Sequence, residues 1–560
     1  MAIQDTGTLR EAEAMRRHKS QILGMDEERT YWFNHWREIS DYFSPRRYPW
    51  LMSQKEQRTP NRRNRKLLDS TSTDAINTLA SGMMDGITSP ARPWFSLRIP
   101  GFDADTLTHA SKIWLEEVER RMFLILGESN FYNVIANLYF NWACFGTGAM
   151  MIYEDFDEVV RFYNYAVGEF FITQDSAGRV NRLARRFTWQ VHQVVEEFGI
   201  DNVTQNVRNM HNAGNNQLYT NIDMRHIVEP NNPEDGLLKA DAPWREVYYE
   251  AAADSGFYSR VAPFDSWPVV APRWELYGND SYGTSPAFNA LPDVQQLQQL
   301  IREKTIGLAK QLSPPLIVDQ QLQNRPTALQ ANGITYAPTA NGNFGAKEAY
   351  KITVPLQEIS NDVLDLRQRI RQTCFNDLFN MFMHMDKVRS ATEIDARREE
   401  KLVHLGPVFQ RFSGEVLDPT LKRVYSIMLE KDLLPEAPAE LDGASIDVQY
   451  VSVLSDAQRA VGSVAIERFL AFTGELAGVY PEIRSVPNPE ELVREYGEAI
   501  GVKASGVNSR ADAAAQREAE EEAAAMQQQA ELGKTVSEGA RNLSQTDVGG
   551  GQNALQAVLG

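Results

Sequence analysis

The sequence has little of what most active sites are built from. Two cysteines, Cys144 and Cys374, lie far apart in apolar, helix-like surroundings, which argues for buried thiols over a disulfide and suits a reducing cytoplasm. Eight histidines are scattered, with no HExxH and no Cys/His cluster, so metal catalysis has no support and no cofactor is expected. There is no G-x-S-x-G elbow. Gly533-Lys534-Thr535 has the ending of a phosphate-binding loop, but the place of its first glycine is taken by Gln528 and no strand precedes it. FGTGA at 145–149 is too short for a dinucleotide fingerprint and reads as a helix turning into a strand. No apolar run approaches the length of a membrane span, and the polar start MAIQDTGTLREAEAMRRHKS lacks the apolar core of a signal peptide, so no direct membrane insertion is expected. An enzyme such as a nuclease or hydrolase would need clustered acids or a nucleophile motif, and neither is evident.

Excess positive charge is also missing. The formal net charge is −18, whereas proteins that grip nucleic acid draw their affinity from neutralising phosphates. This argues against a tight DNA binder, not against a wall that DNA slides past. Ordinary solubility accounts for the charge equally well. The concentrated exception is Lys55–Lys66, with six Lys/Arg in twelve residues. It has no interleaved aromatics for base stacking and reads as a surface or subunit-contact loop.

What is present is helical periodicity, with strands in the first half. Residues 8–44 carry apolar groups at three- and four-residue steps and end at Pro45. Asp69 and Ser70 are placed to cap a helix that Pro90 stops, and the aromatic pair Trp94 and Phe95 that follows reads as core. Helices are expected over 111–126 and 131–145, then the strands AMMIYED, VVRFYNY and EFFITQD, a turn at Asp175–Gly178, and VNRLARRFTW. Residues 220–275 continue as strands. The fold class is therefore α+β, mainly helical. Further on, Pro286–Leu312 and a helix from Pro355 through Met385 flank about forty residues that hold the turn signals Asn332-Gly333 and Asn341-Gly342. This predicts a helical stalk with a small domain at its tip. From Ala504 the chain is rich in Ala, Glu and Gln and reads as weakly helical to disordered.

Five segments, in order, resemble the head-to-tail connector (portal) family of short-tailed (podovirus, T7-like) phages. They are LLDST with LASGMMDGITSPARPWFSL, FGTGAMMIYED with GEFFITQDSAGRVNRLARRFTW, PRWELYGNDSYGTSPAFNALPD, LSPPLIV, and ATEIDARREEKLVHLGPVFQRFSGEVLDPTLKRVYSIMLEKDLLP. Together they span roughly residues 30–435, and their order carries more weight than any single match. The resemblance implies a ring, typically dodecameric, around a central channel. It implies a wing over 1–285, a first stem helix over 286–312, a clip over 313–354, and a second stem helix over 355–385. A tunnel loop over 386–392, wing return helices over 393–455, a crown over 456–503 and the tail 504–560 complete the chain.

It further implies a virion protein at one capsid vertex, made in the host cytoplasm. Its partners would be double-stranded DNA, the terminase large subunit, a tail adaptor, major capsid and scaffold proteins, and internal core or ejection proteins. DNA-facing candidates in the tunnel loop are Asp386, Lys387, Arg389 and Ser390. Stem candidates are Arg302, Lys304 and Lys310, which either face the channel or pair with a neighbouring subunit. Clip docking candidates are Pro314, Pro315, Asn332 and Gly333. Glu393, Arg397 and Arg398 read as salt bridges within their own helix rather than catalysis. Among other virion proteins, a tail adaptor is usually shorter and an internal scaffold lacks the α+β half.

Overall fold

Helix α1, Leu9–Phe43, buries Met15, Ile22, Met25, Trp32, Trp36, Ile39 and Phe43 along one stripe, as the three- and four-residue spacing requires. A computed structural model describes residues 9–45, 51, 67–98, 108–239, 241–253, 256–312, 316–318, 346–348, 355–383, 405–438, 447–450, 466, 469–476, 480, 488–499 and 510–545. The chain divides into two units. The first comprises residues 1–96, 119–434 and 448–455; the second comprises 97–118, 435–447 and 456–560.

In the first unit α1 leads to α2 (Thr71–Ile87) and the short strand β1 (Phe95–Arg98), followed by α3 (His109–Glu128), whose opening turns belong to the second unit, and α4 (Phe131–Phe145). Asp69, not Ser70, supplies the cap of α2: its Oδ1 accepts from Thr71 N at 2.9 Å, while Ser70 makes no side-chain cap. Trp94 and Phe95 are core residues, each 1% exposed, with Trp94 stacked on Phe131.

Strands β2 (Ala149–Asp155), β3 (Val159–Tyr165), β4 (Phe170–Gln174) and β5 (Val180–Gln190) follow. Helices α5 (Val191–Phe198) and α6 (Gln205–Ala213) precede β6 (Asn221–Pro230), β7 (Trp244–Glu250), β8 (Arg260–Phe264) and β9 (Val269–Val270). They make two antiparallel sheets in the orders β4-β5-β6-β7-β8 and β3-β2-β9. The α+β, mainly helical class holds, although α6 is an element that propensity does not single out.

The first half of α1 lies on the larger sheet, where Met15, Ile22 and Met25 pack with Phe171, Ile227, Val247 and Tyr249. Polar bonds fix this packing: His18 Nε2 reaches Glu229 on β6 at 2.9 Å, and Arg245 on β7 bonds both Glu229 and Asp235. The two sheets are joined by Tyr153 of β2, which donates to Glu246 of β7 and sits 3.1 Å from the Tyr248 hydroxyl. Beside them the buried His226 ring stacks on Tyr248. Its Nε2 is 2.8 Å from Glu246, but outside hydrogen-bond alignment. Burial holds the His226 pKa below the usual histidine value, against the pull of Glu246.

Gly146 shows why FGTGA is glycine-rich. It ends α4 with φ of 73°, its N–H bonds Trp142 O, and the chain enters β2 three residues later. A side chain at Gly146 would stand 2.3 Å from Gly283 O, and one at Gly283 would stand 2.7 Å from Gly146 O. The second and third family-like segments thus meet backbone to backbone, which only glycine permits.

Helix α7 (Pro286–Leu312) continues through Pro292. After β10 (Leu316–Val318) and β11 (Ala346–Glu348), the second long helix is broken. It runs as α8 (Leu356–Thr373) and α9 (Asn376–Met383), with Phe375 between them at φ of 56°. The single helix expected over 355–385 is corrected in this respect. The break turns Phe379 against α2, where Gly82 leaves room for its ring. Helix α10 runs from 405 to Glu430 through a π-helical turn at Ser413–Leu417.

That turn presents Glu415 to Arg273. Arg273 donates to Glu415 from Nε at 2.9 Å and from its terminal nitrogen at 2.6 Å, and also to Gln174 and Gly178. The strand β12 (Asp447–Tyr450) comes next.

In the second unit, Trp114 donates to Pro435 O at 3.0 Å. Its C-terminal helices are α11 (Pro489–Ala499) and α12 (Arg510–Gln545). The tail, read as weakly helical to disordered, is helical over 510–545. Ala, Glu, Gln and Arg are among the best helix formers, so the shortage of large apolar groups removes packing without removing the helix.

Candidate functional site

Helices α7 and α8 form the stalk that the sequence predicts. Asp293 pairs with Arg369, and Lys304 Nζ donates to Ser360 Oγ at 3.1 Å. The numbers rise on one helix as they fall on the other, so the pair is antiparallel. Beyond Leu312 the chain returns through β10 and β11, paired in the register Leu316↔Glu348 to Val318↔Ala346. The insert therefore leaves and re-enters across a two-stranded base. On α8 the residues Val363, Leu366 and Ile370 are buried, one face at helical spacing.

The stalk is rooted on the loop before α2. Gln298 of α7 is 4% exposed, and its Oε1 accepts from Leu68 N at 2.6 Å and Asp69 N at 2.9 Å. Its Nε2 donates to Asp69 O at 3.0 Å. Arg367 of α8 donates to Asp69 Oδ2 at 2.6 and 3.1 Å. Asp69 thus caps α2 and holds α8 through its carboxylate, and holds α7 through its backbone N–H and C=O. Burial alone would raise the Asp69 pKa; the bonds from Thr71 and Arg367 hold it below the ordinary aspartate value. Asp69, Gln298 and Arg367 root the stalk, and of the three the sequence marks only Asp69, as a cap. The available signal was LLDST itself, legible as a cap but silent about its two distant partners.

Of the stem candidates, Arg302 and Lys310 are exposed and Lys304 is half-buried in its bond to Ser360. The structure therefore puts all three on one helix and engages Lys304 within the chain. Pro314, Pro315, Asn332 and Gly333 lie outside the described residues. So do Asp386, Lys387, Arg389 and Ser390, and the segments Lys55–Lys66 and Glu393–Arg398. The stalk does not carry the chain's acidic excess. Helix α7 has three cationic residues against two acidic, and α8 has three of each. Its polar surface includes the neutral residues Gln295, Gln296 and Gln299. Ile306, Leu312 and Leu364 are exposed at 49%, 82% and 61%, so the outer part of the stalk carries uncovered apolar groups. Among the described residues no group of His, Cys, Asp or Glu is arranged to hold a metal, and no helix is long and apolar enough to cross a membrane.

The sequence matches known proteins over most of its length. The profile of the bacteriophage head to tail connecting protein family matches residues 16–507. The portal protein of Salmonella phage epsilon15 is 34% identical over 543 residues, covering 96% of each chain. The probable portal protein of Bordetella phage BPP-1 is 35% identical over 480 residues, covering 85% of each chain. The chain belongs to the bacteriophage head to tail connecting protein family, a structural rather than catalytic class.

Proposed function

We infer that the chain is the subunit of a phage portal, a ring at one capsid vertex through which DNA is packaged, retained and ejected. The observation that carries this is the family match across residues 16–507, with relatives of nearly equal length named as portal proteins. The stalk supports it. In this reading α7 and α8 are the stem, the insert between them is the clip, and the neighbouring subunits cover the exposed Ile306 and Leu364. A nearly neutral, glutamine-rich wall would let a duplex pass without holding its phosphates. Docking of the terminase and then of a tail adaptor falls to the clip, with Pro314, Pro315, Asn332 and Gly333 as candidates. Capsid, scaffold and internal core or ejection proteins meet the rest of the ring. The tunnel loop over 386–392, with Asp386, Lys387, Arg389 and Ser390 as the DNA-facing candidates, is the proposed constriction. The crown follows residue 456.

Twelve chains of 63.3 kDa give about 760 kDa. Light scattering and negative-stain microscopy should find a particle of about that mass with a central hole. A chain that stays monomeric at every concentration, with scaffold protein present as well as absent, would overturn the reading.

A further inference from the structure

The β2–β3 hairpin ends in a feature the portal role does not use. Its register closes at Asp155↔Val159, leaving Phe156, Asp157 and Glu158 as the turn. Phe156 is fully exposed, although a phenylalanine ring is ordinarily among the most buried groups. Glu154, Asp155, Asp157 and Glu158 surround it with four carboxylates in five residues. The turn is rigid. Asp155 Oδ1 accepts from Asp157 N at 2.8 Å and from Glu158 N at 3.0 Å. Val159, a β-branched residue, is held at φ of 68°, a conformation such residues avoid. The base is braced on α10 and the residue after it, where Arg423 lies 3.4 Å and Lys431 3.1 Å from Glu154. At the tip Arg161 comes only within 3.9 Å of Asp155 and Glu158, and Asp157 is exposed beside Phe156.

An aromatic face flanked by carboxylates matches one side chain in particular. The guanidinium stacks flat on a ring while its fork bonds a carboxylate. Among the described residues the chain already uses this combination at least five times, Arg186 over Phe171 with Asp26 and Arg260 over Phe198 with Glu197 being two of them. Arg29 lies 3.9 Å over Phe171 and pairs with Asp26. Arg185 lies 4.1 Å over Phe187 and pairs with Glu169. Arg423 lies 5.4 Å over Phe264 and reaches Glu154. The hairpin tip is the same receptor, exposed and without its arginine among the described residues.

We propose that this tip docks the arginine-rich stretch 58–65 of a second copy of the chain. In a chain of net charge −18, that stretch and its flanking lysines concentrate six cationic residues, four of them Arg58, Arg62, Arg63 and Arg65. A ring of identical subunits joins two different patches at each interface, and an acidic aromatic knob with a cationic segment is such a complementary pair. The proposal rests on the ring reading.

The test uses the full chain. Phe156→Ala and Asp157→Arg should each raise the concentration for half-maximal assembly at least about tenfold, with the melting temperature of the unassembled chain unchanged. Arg58, Arg62, Arg63 and Arg65, changed singly to Glu against Asp157→Arg, should include one that restores assembly to within about threefold of wild type. Normal assembly of the single variants would overturn the proposal. So would the absence of any restoring partner, or a loss confined to the melting of the unassembled chain, which would place the contact inside one subunit. A separate arm measures binding of a peptide of residues 52–66 to the full chain. Binding weakened at least about tenfold by Phe156→Ala supports the docking chemistry, and binding indifferent to Phe156 overturns it. If the wild type forms no ring, the ring reading fails by itself, and the peptide arm still decides the knob.

Discussion

Replacing Glu229 by glutamine should cost the first unit about 3 kcal/mol at neutral pH, and the loss should fade in acid. Glu229 is 4% exposed on β6 and is one of the points at which α1 is bonded to the sheet, beside Arg29, which donates to Phe170 O, and Asp26, which accepts from Arg186. Burial by itself would raise its pKa. The hydrogen bond from His18 and the charge of Arg245, 2.5 Å away, overcome that and hold it at about 2 against an ordinary 4.5. At about 1.4 kcal/mol per tenfold change in proton affinity, the difference gives the figure of about 3 kcal/mol. The same size is expected for removing one partner from a buried ion pair, at roughly 3–5 kcal/mol.

The sign follows from the depressed value. The stabilisation is complete above the unfolded pKa of about 4.5 and disappears as pH falls through about 2, so roughly 1.4 kcal/mol should remain at pH 3. Urea unfolding followed by tryptophan fluorescence at pH 7, 5, 4 and 3 measures this, with hydrogen exchange of α1 amides as the local readout. A Glu229→Gln chain within about 0.5 kcal/mol of wild type at pH 7 would refute the reasoning. So would a difference as large at pH 3 as at pH 7.

Two further outcomes test the packing around the stalk. Gly82→Ala places a methyl group 2.3 Å from the buried Phe379 ring between two fixed helices. It should cost about 1–3 kcal/mol, seen as a lowered melting temperature; an unchanged one would mean that α2 and α9 are not in this contact. Arg273→Ala strands Glu415 and frees the acceptors on Gln174 and Gly178. It should cost about 3–5 kcal/mol and open α10 to limited proteolysis, while a resistant, equally stable variant would remove the latch from the account.

Much of the architecture was legible because it depends on local periodicity. The stripe of α1, the ends of α4 and α7, the strands β2, β3 and β5, and the stalk with its insert all follow from spacing and from Pro and Gly positions. The break at Phe375 was not legible. Val363, Leu366, Ile370 and Leu378 keep an uninterrupted helical pattern, and no glycine or proline marks the left-handed residue. It exists because Phe379 must turn into the space that Gly82 leaves on a different helix. The tail, read as weakly helical to disordered, carries a helix over Arg510–Gln545, which propensity alone can form without an apolar face.

By itself, then, the sequence determined what local chemistry can determine: an acidic α+β chain, two long helices around an insert, and ordered segments that resemble one family. Tertiary structure decided which distant groups meet. Asp69 collects Gln298 and Arg367 from across the chain, Gly146 meets Gly283, Arg273 meets Glu415, and Phe156 is left in water. Periodicity fixes the face a residue occupies on its own helix or strand. Only the folded chain fixes what that face touches, because such partners are separated by hundreds of positions or by nothing the sequence marks.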